Sequence, residues 1–203
     1  MTRFRLLSID PAWRFGDKLT MSKVKRGADA QYRSTMSIAE ICALPVRELA
    51  DDTAILCLWR PSSFAREALT VMDAWGFRQT QELVWVKRRP SGKLHFGMGR
   101  VLRSACEVAY IGVRGNYRGA LARRNVRNVI ESPPLRHSAK PDVIQHTLSE
   151  MMPGPALELF ARRDLGPPWT CIGNECPSTF GRSLQDVLAE MVSGRLTPPA
   201  APC

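Results

Sequence analysis

Four residues near the start of the chain, Asp10-Pro11-Ala12-Trp13, combine an ionisable carboxylate, a proline-stiffened carbonyl and an indole ring. They follow Phe4–Ile9, an apolar run that reads as a buried strand. The chemistry this trio suits is methylation of an exocyclic amine on an aromatic base. The lone pair of such an amine is delocalised into the ring, so the nitrogen must be turned and aimed. Asp10 and the Pro11 carbonyl supply two acceptors for its N–H protons, and Trp13 supplies a face on which the base stacks. Catalysis of this kind rests on orientation and electrostatics, not on a strong base. Asp-Pro after a strand is equally a common turn opener, and a tryptophan there equally caps a core.

Such residues need a scaffold and a partner, and composition constrains both. The 203 residues suffice for one α/β domain with a single buried core. The formal charge of +10 points to a polyanionic partner. The cations cluster in three stretches without apolar periodicity: Lys23, Lys25 and Arg26; Lys87, Arg88, Arg89 and Lys93; Arg114, Arg118, Arg123, Arg124 and Arg127. Basic loops with few compensating acids favour phosphate contact over a merely solvated surface. No run is long and apolar enough for a membrane span, and the N-terminus lacks a signal-peptide layout, so a cytoplasmic protein is expected. The six cysteines include no C-x-x-C pair, and His95, His137 and His146 complete no zinc pattern. Cys171 and Cys176 are therefore read as thiols without metal. No G-x-G-x-x-G follows a strand, which argues against a nicotinamide enzyme; Gly97-Met98-Gly99 is too short a fragment to count.

Strand-like and helix-like patterns alternate. Further strands are expected at 53–59, 81–86 and 106–113, with shorter ones at 126–130, 156–161 and 169–172. Ser37-Ile38-Ala39-Glu40 is a capping box opening a short helix. Residues 62–75 form an amphipathic helix closed by Gly76, Pro141 opens a helix to about Met152, and Leu184–Met191 is a last amphipathic helix. The residues 14–36 read as a long functional loop, and the Pro/Ala-rich tail over 195–203 as disordered. This alternation predicts an α/β fold with a mostly parallel, doubly wound sheet. Ligands of such sheets sit beyond the carboxyl ends of the strands, which directs attention to loops 10–36, 87–100, 114–128 and 161–168.

An ordered series of further motifs accompanies Asp10-Pro11-Ala12-Trp13: Tyr32 with Thr35-Met36-Ser37, Leu58-Trp59, Ala74-Trp75-Gly76-Phe77, Leu83-Val84-Trp85-Val86-Lys87, and Glu107 with Ile111–Asn116. The series closes with His137–Asp142, Pro153-Gly154, Glu158-Leu159-Phe160-Ala161-Arg162 and Gly173-Asn174-Glu175. Over residues 4–176 the chain resembles the MTA-type adenine methyltransferases, the family of the catalytic subunit of the mRNA adenosine-methylation complex and of bacterial and phage enzymes. Two departures stand out. Ala12 replaces a second proline, and Arg163-Asp164-Leu165 replaces the His-Asn pair that follows the arginine in the mRNA enzyme.

The resemblance implies a single Rossmann-like class I methyltransferase domain over 1–176 and S-adenosylmethionine as methyl donor. The segment 177–194 lies beyond it and is expected, from its amphipathic pattern, to form a C-terminal helix. It assigns Ile9, Asp10, Lys140, Phe160, Arg162, Asp164, Asn174 and Glu175 to the cofactor. Lys140 pairs with the cofactor carboxylate, an anion that also suits a lysine at a helix start. Asp10, Pro11 and Trp13 become the catalytic residues. Tyr32, Lys87, Arg88, Arg89, Glu107, His137 and Ser138 line the substrate side, although a strand-edge salt bridge suits Glu107 equally well. Adenine in DNA, flipped from the duplex, is the expected substrate; RNA and a non-catalytic nucleic-acid-binding subunit are the alternatives. Loop 87–103 matches a subunit-pairing region of relatives and allows a homodimer.

Overall fold

A computed structural model describes residues 2–15, 35–99, 101–135 and 139–196. The first apolar run forms β1 (Phe4–Ile9). The capping box opens α1 (Ile38–Cys42): the Ser37 hydroxyl accepts from the Glu40 amide, and the Glu40 carboxylate accepts from the Ser37 amide at 2.7 Å. A second turn, α2 (Val46–Leu49), leads into β2 (Ala50–Arg60). After a 3-10 turn at Ser62–Phe64, α3 (Ala65–Ala74) ends before Gly76. Then follow β3 (Arg78–Lys87), β4 (Cys106–Arg114), the single turn α4 (Tyr117–Ala120) and β5 (Val129–Ser132). The chain continues through α5 (Asp142–Met151), β6 (Ala156–Leu159), β7 (Trp169–Ile172), a 3-10 turn at Pro177–Thr179 and α6 (Leu184–Val192).

The seven strands form one mixed sheet in the order β5-β3-β4-β2-β1-β6-β7. Pairs β1–β2, β1–β6, β3–β5 and β6–β7 are parallel; β2–β4 and β3–β4 are antiparallel. A single strand, β4, therefore runs against the others. Its cause is legible in the β3–β4 connection, which carries no helix. A parallel return requires a crossover of a dozen or more residues, usually helical. Here the chain folds back on itself instead, with the Lys87 amide donating to the Ala105 carbonyl at 2.8 Å.

Apolar side chains fill both faces of the sheet. On one face Ile41, Val46, Leu49, Val71, Met72, Val187 and Leu188, from α1, α2, α3 and α6, pack with Leu7, Ile9, Leu56 and Leu58. On the other, Ile144 and Leu148 of α5 pack with Leu6, Ile55, Cys57 and Trp59. The strand alternation Leu6/Leu7 and Ile55/Leu56 assigns neighbours to opposite faces, as the period of two requires. No helix among the described residues is long and apolar enough to cross a membrane.

The reversal of β4 corrects one expectation. The loop after β4, with Arg114, Arg118, Arg123, Arg124 and Arg127, leaves the sheet at the amino edge: Arg114 lies opposite Ala54 near the start of β2 and 3.7 Å from Asp52. It is therefore on the far edge from Asp10. What β4 brings to the carboxyl edge is its beginning, Cys106 and Glu107, beside Val86 and Trp85 near the end of β3.

Candidate active site

Asp10 leaves the carboxyl end of β1, Lys140 stands just before α5, and Glu107 is the second residue of β4. Elements distant in sequence thus converge on one ammonium. Lys140 Nζ is 2.5 Å from Asp10 Oδ2 and 3.1 Å from Glu107 Oε2, and it lies 5.0 Å from the centre of the Trp59 ring. Glu107 Oε1 also accepts from Lys87, whose ammonium sits 4.7 Å from the Trp85 ring centre. The result is a chain of alternating charge, Asp10–Lys140–Glu107–Lys87. Lys140 is only 6% exposed. Burial alone lowers a lysine pKa, but the Asp10 and Glu107 carboxylates outweigh it and push Lys140 above its ordinary value. Burial likewise raises Glu107, yet Lys140 and Lys87 together hold it below the usual carboxylate range. Lys140 and Glu107 therefore both carry charge at neutral pH. The anion expected beside Lys140 is supplied within the chain itself.

Pro11 is buried, and its carbonyl accepts from the Trp13 amide at 2.8 Å, closing a tight turn. A carbonyl oxygen has two lone pairs, so one acceptor position remains. Trp13 differs from its expected role. Its ring is 4% exposed and packs in the core, its indole N–H donates to the Trp59 carbonyl at 3.1 Å, and its backbone bridges Met36. The indole hydrogen bond and the bridge point the ring inward, so it presents no free face to a base here. It backs a ladder of aromatics: Phe64 lies 5.5 Å from Trp13, and Phe15, partly exposed, meets Phe64 edge-on at 5.0 Å.

Beside this turn, a cavity of about 620 Å³ opens at the carboxyl ends of β6 and β7. Ala12, Phe160, Arg162, Asn174 and Glu175 line it, joined by Phe180 from the C-terminal segment. Its floor depends on close backbone contact. A Cβ on Gly173 meets the Ala161 oxygen at 2.1 Å and the Ala161 nitrogen at 2.6 Å, so a side chain there is excluded. Phe160 adopts φ 62°, a left-handed conformation that costs an aromatic residue roughly 1–3 kcal/mol and clusters at functional sites. Arg162 lies 3.6 Å from Glu175.

Several assigned residues fall elsewhere. The Ile9 side chain is fully buried in the core. Asp164 does not line the cavity; its Oδ1 accepts from Ser178 at 2.8 Å and from the Cys176 thiol at 3.2 Å, tying down the turn after β7. Of the basic loop after β3, Lys87 is paired with Glu107, and Arg88 is held by Glu131 through two hydrogen bonds, of 2.7 and 3.0 Å. Arg89 and Lys93 are exposed. The loop's acids are thus supplied by neighbouring strands, which its own sequence does not show. Tyr32, His137, Ser138 and the cluster Lys23, Lys25 and Arg26 lie outside the described residues, as do most of residues 14–36 and the tail from Thr197. Among the described residues no cluster suits a metal ion.

Residues past Cys176 were missed by the motif series. Phe180, Arg182, Ser183 and Gln185 all line the cavity. The signal was present in Ser183, which caps α6 by accepting from the Asp186 amide at 3.3 Å, and in the apolar stripe Leu184, Val187, Leu188 and Met191 that docks the helix on the core.

Glu158 of β6 is a further buried carboxyl, 3.0 Å from the Gln145 amide nitrogen and 3.6 Å from Arg163. Burial raises its pKa above the ordinary 4.5. A carboxyl with a raised folded pKa stabilises below its unfolded pKa, and that contribution is lost as pH rises through the folded value. Glu158→Gln is therefore expected to remove a loss of stability that the wild type shows as pH rises from about 4.5. Parallel pH profiles of melting temperature for the two proteins contradict this reading.

Together these features define an α/β protein with a charged cluster and an open cavity side by side on the carboxyl edge of its sheet. The chain belongs to the MT-A70 family, which it matches over residues 4–175. It is 25% identical over 190 residues to the Type II methyltransferase M.MunI of Mycoplasma sp, covering 86% of this chain and 78% of that relative. It is 29% identical over 188 residues to the human N(6)-adenine-specific methyltransferase METTL4, covering 85% of this chain and 37% of the relative. With the human N(6)-adenosine-methyltransferase catalytic subunit METTL3 it shares 28% over 181 residues, spanning 28% of that protein. The chain thus spans well under half of either human relative.

Proposed function

We infer that this chain methylates the N6 amine of adenine in DNA, using S-adenosylmethionine. The observation that carries the reading is the position of Asp10: a carboxylate fixed by buried Lys140, two residues along the chain from Ala12 in the wall of the cavity. The similarity to relatives named as adenine and adenosine methyltransferases supports it.

The residues present fit the cofactor. The cavity is within the usual range of about 300–1,000 Å³ for small-molecule sites. Glu175 and Asn174 offer the polar partners that a ribose and an adenine need, Phe160 and Phe180 offer aromatic faces, and the side-chain-free Gly173 leaves room for close backbone approach. When bound, the cofactor supplies an electrophilic methyl group on a sulfonium. Asp10 accepts one N–H of the target amine, the spare lone pair of the Pro11 carbonyl accepts the other, and the nitrogen lone pair is turned toward the donor. Lys140 holds the Asp10 carboxylate in place through their ion pair. Trp13 serves as a rigid backing for the turn, leaving the partly exposed Phe64 and Phe15 as the nearest aromatic surface for the base. The net charge of +10 and the exposed Arg89, Lys93 and Arg103 support a polyanionic substrate.

Incubation with tritium-labelled S-adenosylmethionine and equal amounts of duplex DNA, denatured DNA and RNA is expected to label DNA, with the label recovered as N6-methyladenine. Label in RNA alone overturns the choice of DNA, and no label in any pool overturns the enzymatic reading.

A further inference from the structure

The connection between β3 and β4 carries an unusual surface. Phe96 is 67% exposed, Met98 87%, Val101 94% and Leu102 81%. Soluble proteins seldom hold several large apolar side chains together in water without a binding partner. These side chains are presented by a built structure. Arg89 donates to the Lys93 carbonyl at 2.9 Å, His95 to the Lys87 carbonyl at 2.8 Å, and Gly97 to the Ser104 carbonyl at 3.0 Å. The two arms come so close that a Cβ on Gly97 meets the Ser104 oxygen at 2.4 Å, and one on Gly99 meets the Leu102 oxygen at 1.8 Å. This explains Gly97-Met98-Gly99: the glycines let the arms close and push the apolar tip outward. Arg103 lies 5.3 Å from the Phe96 ring centre and holds it at the side.

The charge around this tip selects its partner. Residues 87–106 contain six Lys or Arg and no Asp or Glu. Glu107 and Glu131 pair with Lys87 and Arg88 at its root, which leaves Arg89, Lys93 and Arg103 exposed around the tip. An apolar tip among exposed cations suits a polyanion with an apolar interior, which describes a stacked nucleic-acid duplex. The placement agrees, because the loop is rooted at Lys87, whose ammonium pairs with the Glu107 that also holds Lys140 and, through it, Asp10.

We propose that the exposed Met98, Val101 and Leu102 between β3 and β4 form a wedge that enters duplex DNA beside the target adenine and fills the stack that the extruded base vacates. The inference rests on the adenine-methylating function given above and names how its base is reached. Apolar side chains inserted at a base step unstack it, and an extruded nucleotide leaves a gap that such side chains occupy. Lys93, Arg103 and Arg89 flank the tip where phosphates run.

The test uses the full chain and the triple variant Met98→Ala, Val101→Ala, Leu102→Ala, whose side chains are too exposed to matter for folding. Two readouts are taken. The first is the ratio of methyl-transfer rates on duplex and heat-denatured DNA, expected to fall at least tenfold in the variant. The second needs no chemistry: a duplex carrying 2-aminopurine, which brightens on unstacking, is expected to brighten with wild type and not with the variant. An unchanged rate ratio together with equal brightening overturns the wedge while leaving the methylating function intact. Brightening by a wild type that labels no DNA keeps the wedge and removes that function. A wild-type dimer that the triple variant turns into monomers assigns the surface to a second copy of this chain and overturns the proposal.

Discussion

Asp10→Asn is expected to lower the rate of methyl transfer by at least about 10²-fold, the scale of losing one oriented group at a reacting centre. The same substitution is expected to shift the melting temperature by no more than about 4 °C, which corresponds to about 1 kcal/mol for a domain of this size. The two expectations follow from one geometry. Asp10 is one of two carboxylates on Lys140; once it is neutral, Glu107 still pairs with Lys140 at 3.1 Å, and no buried charge is stranded. The amine of the substrate fares differently. An asparagine oxygen is a weaker acceptor than a carboxylate, and its NH2 group can point the wrong dipole at the amine. Labelled methyl transfer and a thermal melt on the same preparation separate the two effects. A full rate in the variant removes the mechanism proposed here.

Lys140→Met is expected to act in the opposite sense, primarily on stability. It leaves Asp10 and Glu107 facing each other without the cation between them. Removing one member of a buried ion pair costs about 3–5 kcal/mol. Since both carboxylates are about one-third exposed, the lower end applies. A loss of about 3 kcal/mol corresponds to a drop of roughly 6–12 °C in melting temperature. The pH dependence follows from the two shifted groups. Glu107 is held low, so its contribution exists above its unfolded pKa near 4.5 and fades as pH falls through the folded value. Lys140 is held high, so its contribution exists below 10.5 and fades as pH rises through its folded value. The variant's deficit is thus expected to be full across the neutral range and to shrink below about pH 4.5. A deficit that is independent of pH means the lysine stabilises by packing alone. The ion pair at position 140 also holds the Asp10 carboxylate in place, so activity falls with stability.

Much of this protein was legible in its sequence because the deciding physics is local. The capping box at Ser37 and Glu40 is satisfied within a few residues. Alternation along Phe4–Ile9 and 50–60 sorts side chains onto two faces before any partner strand is known. The resemblance assigned Asp10, Lys140, Phe160, Arg162 and Asn174 to one ligand; in the fold Phe160, Arg162 and Asn174 line the cavity, and Asp10 and Lys140 pair in the charged cluster beside it.

What tertiary structure decided were properties of pairs distant along the chain. The direction of β4 depends on whether the chain returns by a helix or by folding on itself, and that choice moved Glu107 to the site and the arginines of 114–127 away from it. Lys140 finds its anions in Asp10 and Glu107, 130 and 33 residues away in number, and no local pattern records either pairing. Trp13 has the right residue type for stacking on a base, but the carbonyl that captures its indole N–H belongs to Trp59 on another strand. Phe180 and Gln185 reach the cavity only because the apolar stripe of α6 docks on the sheet. Sequence fixes which groups a chain carries and how each short segment prefers to fold. Which groups face one another depends on the order and direction of the strands, through contacts whose energies exist only once the chain has closed.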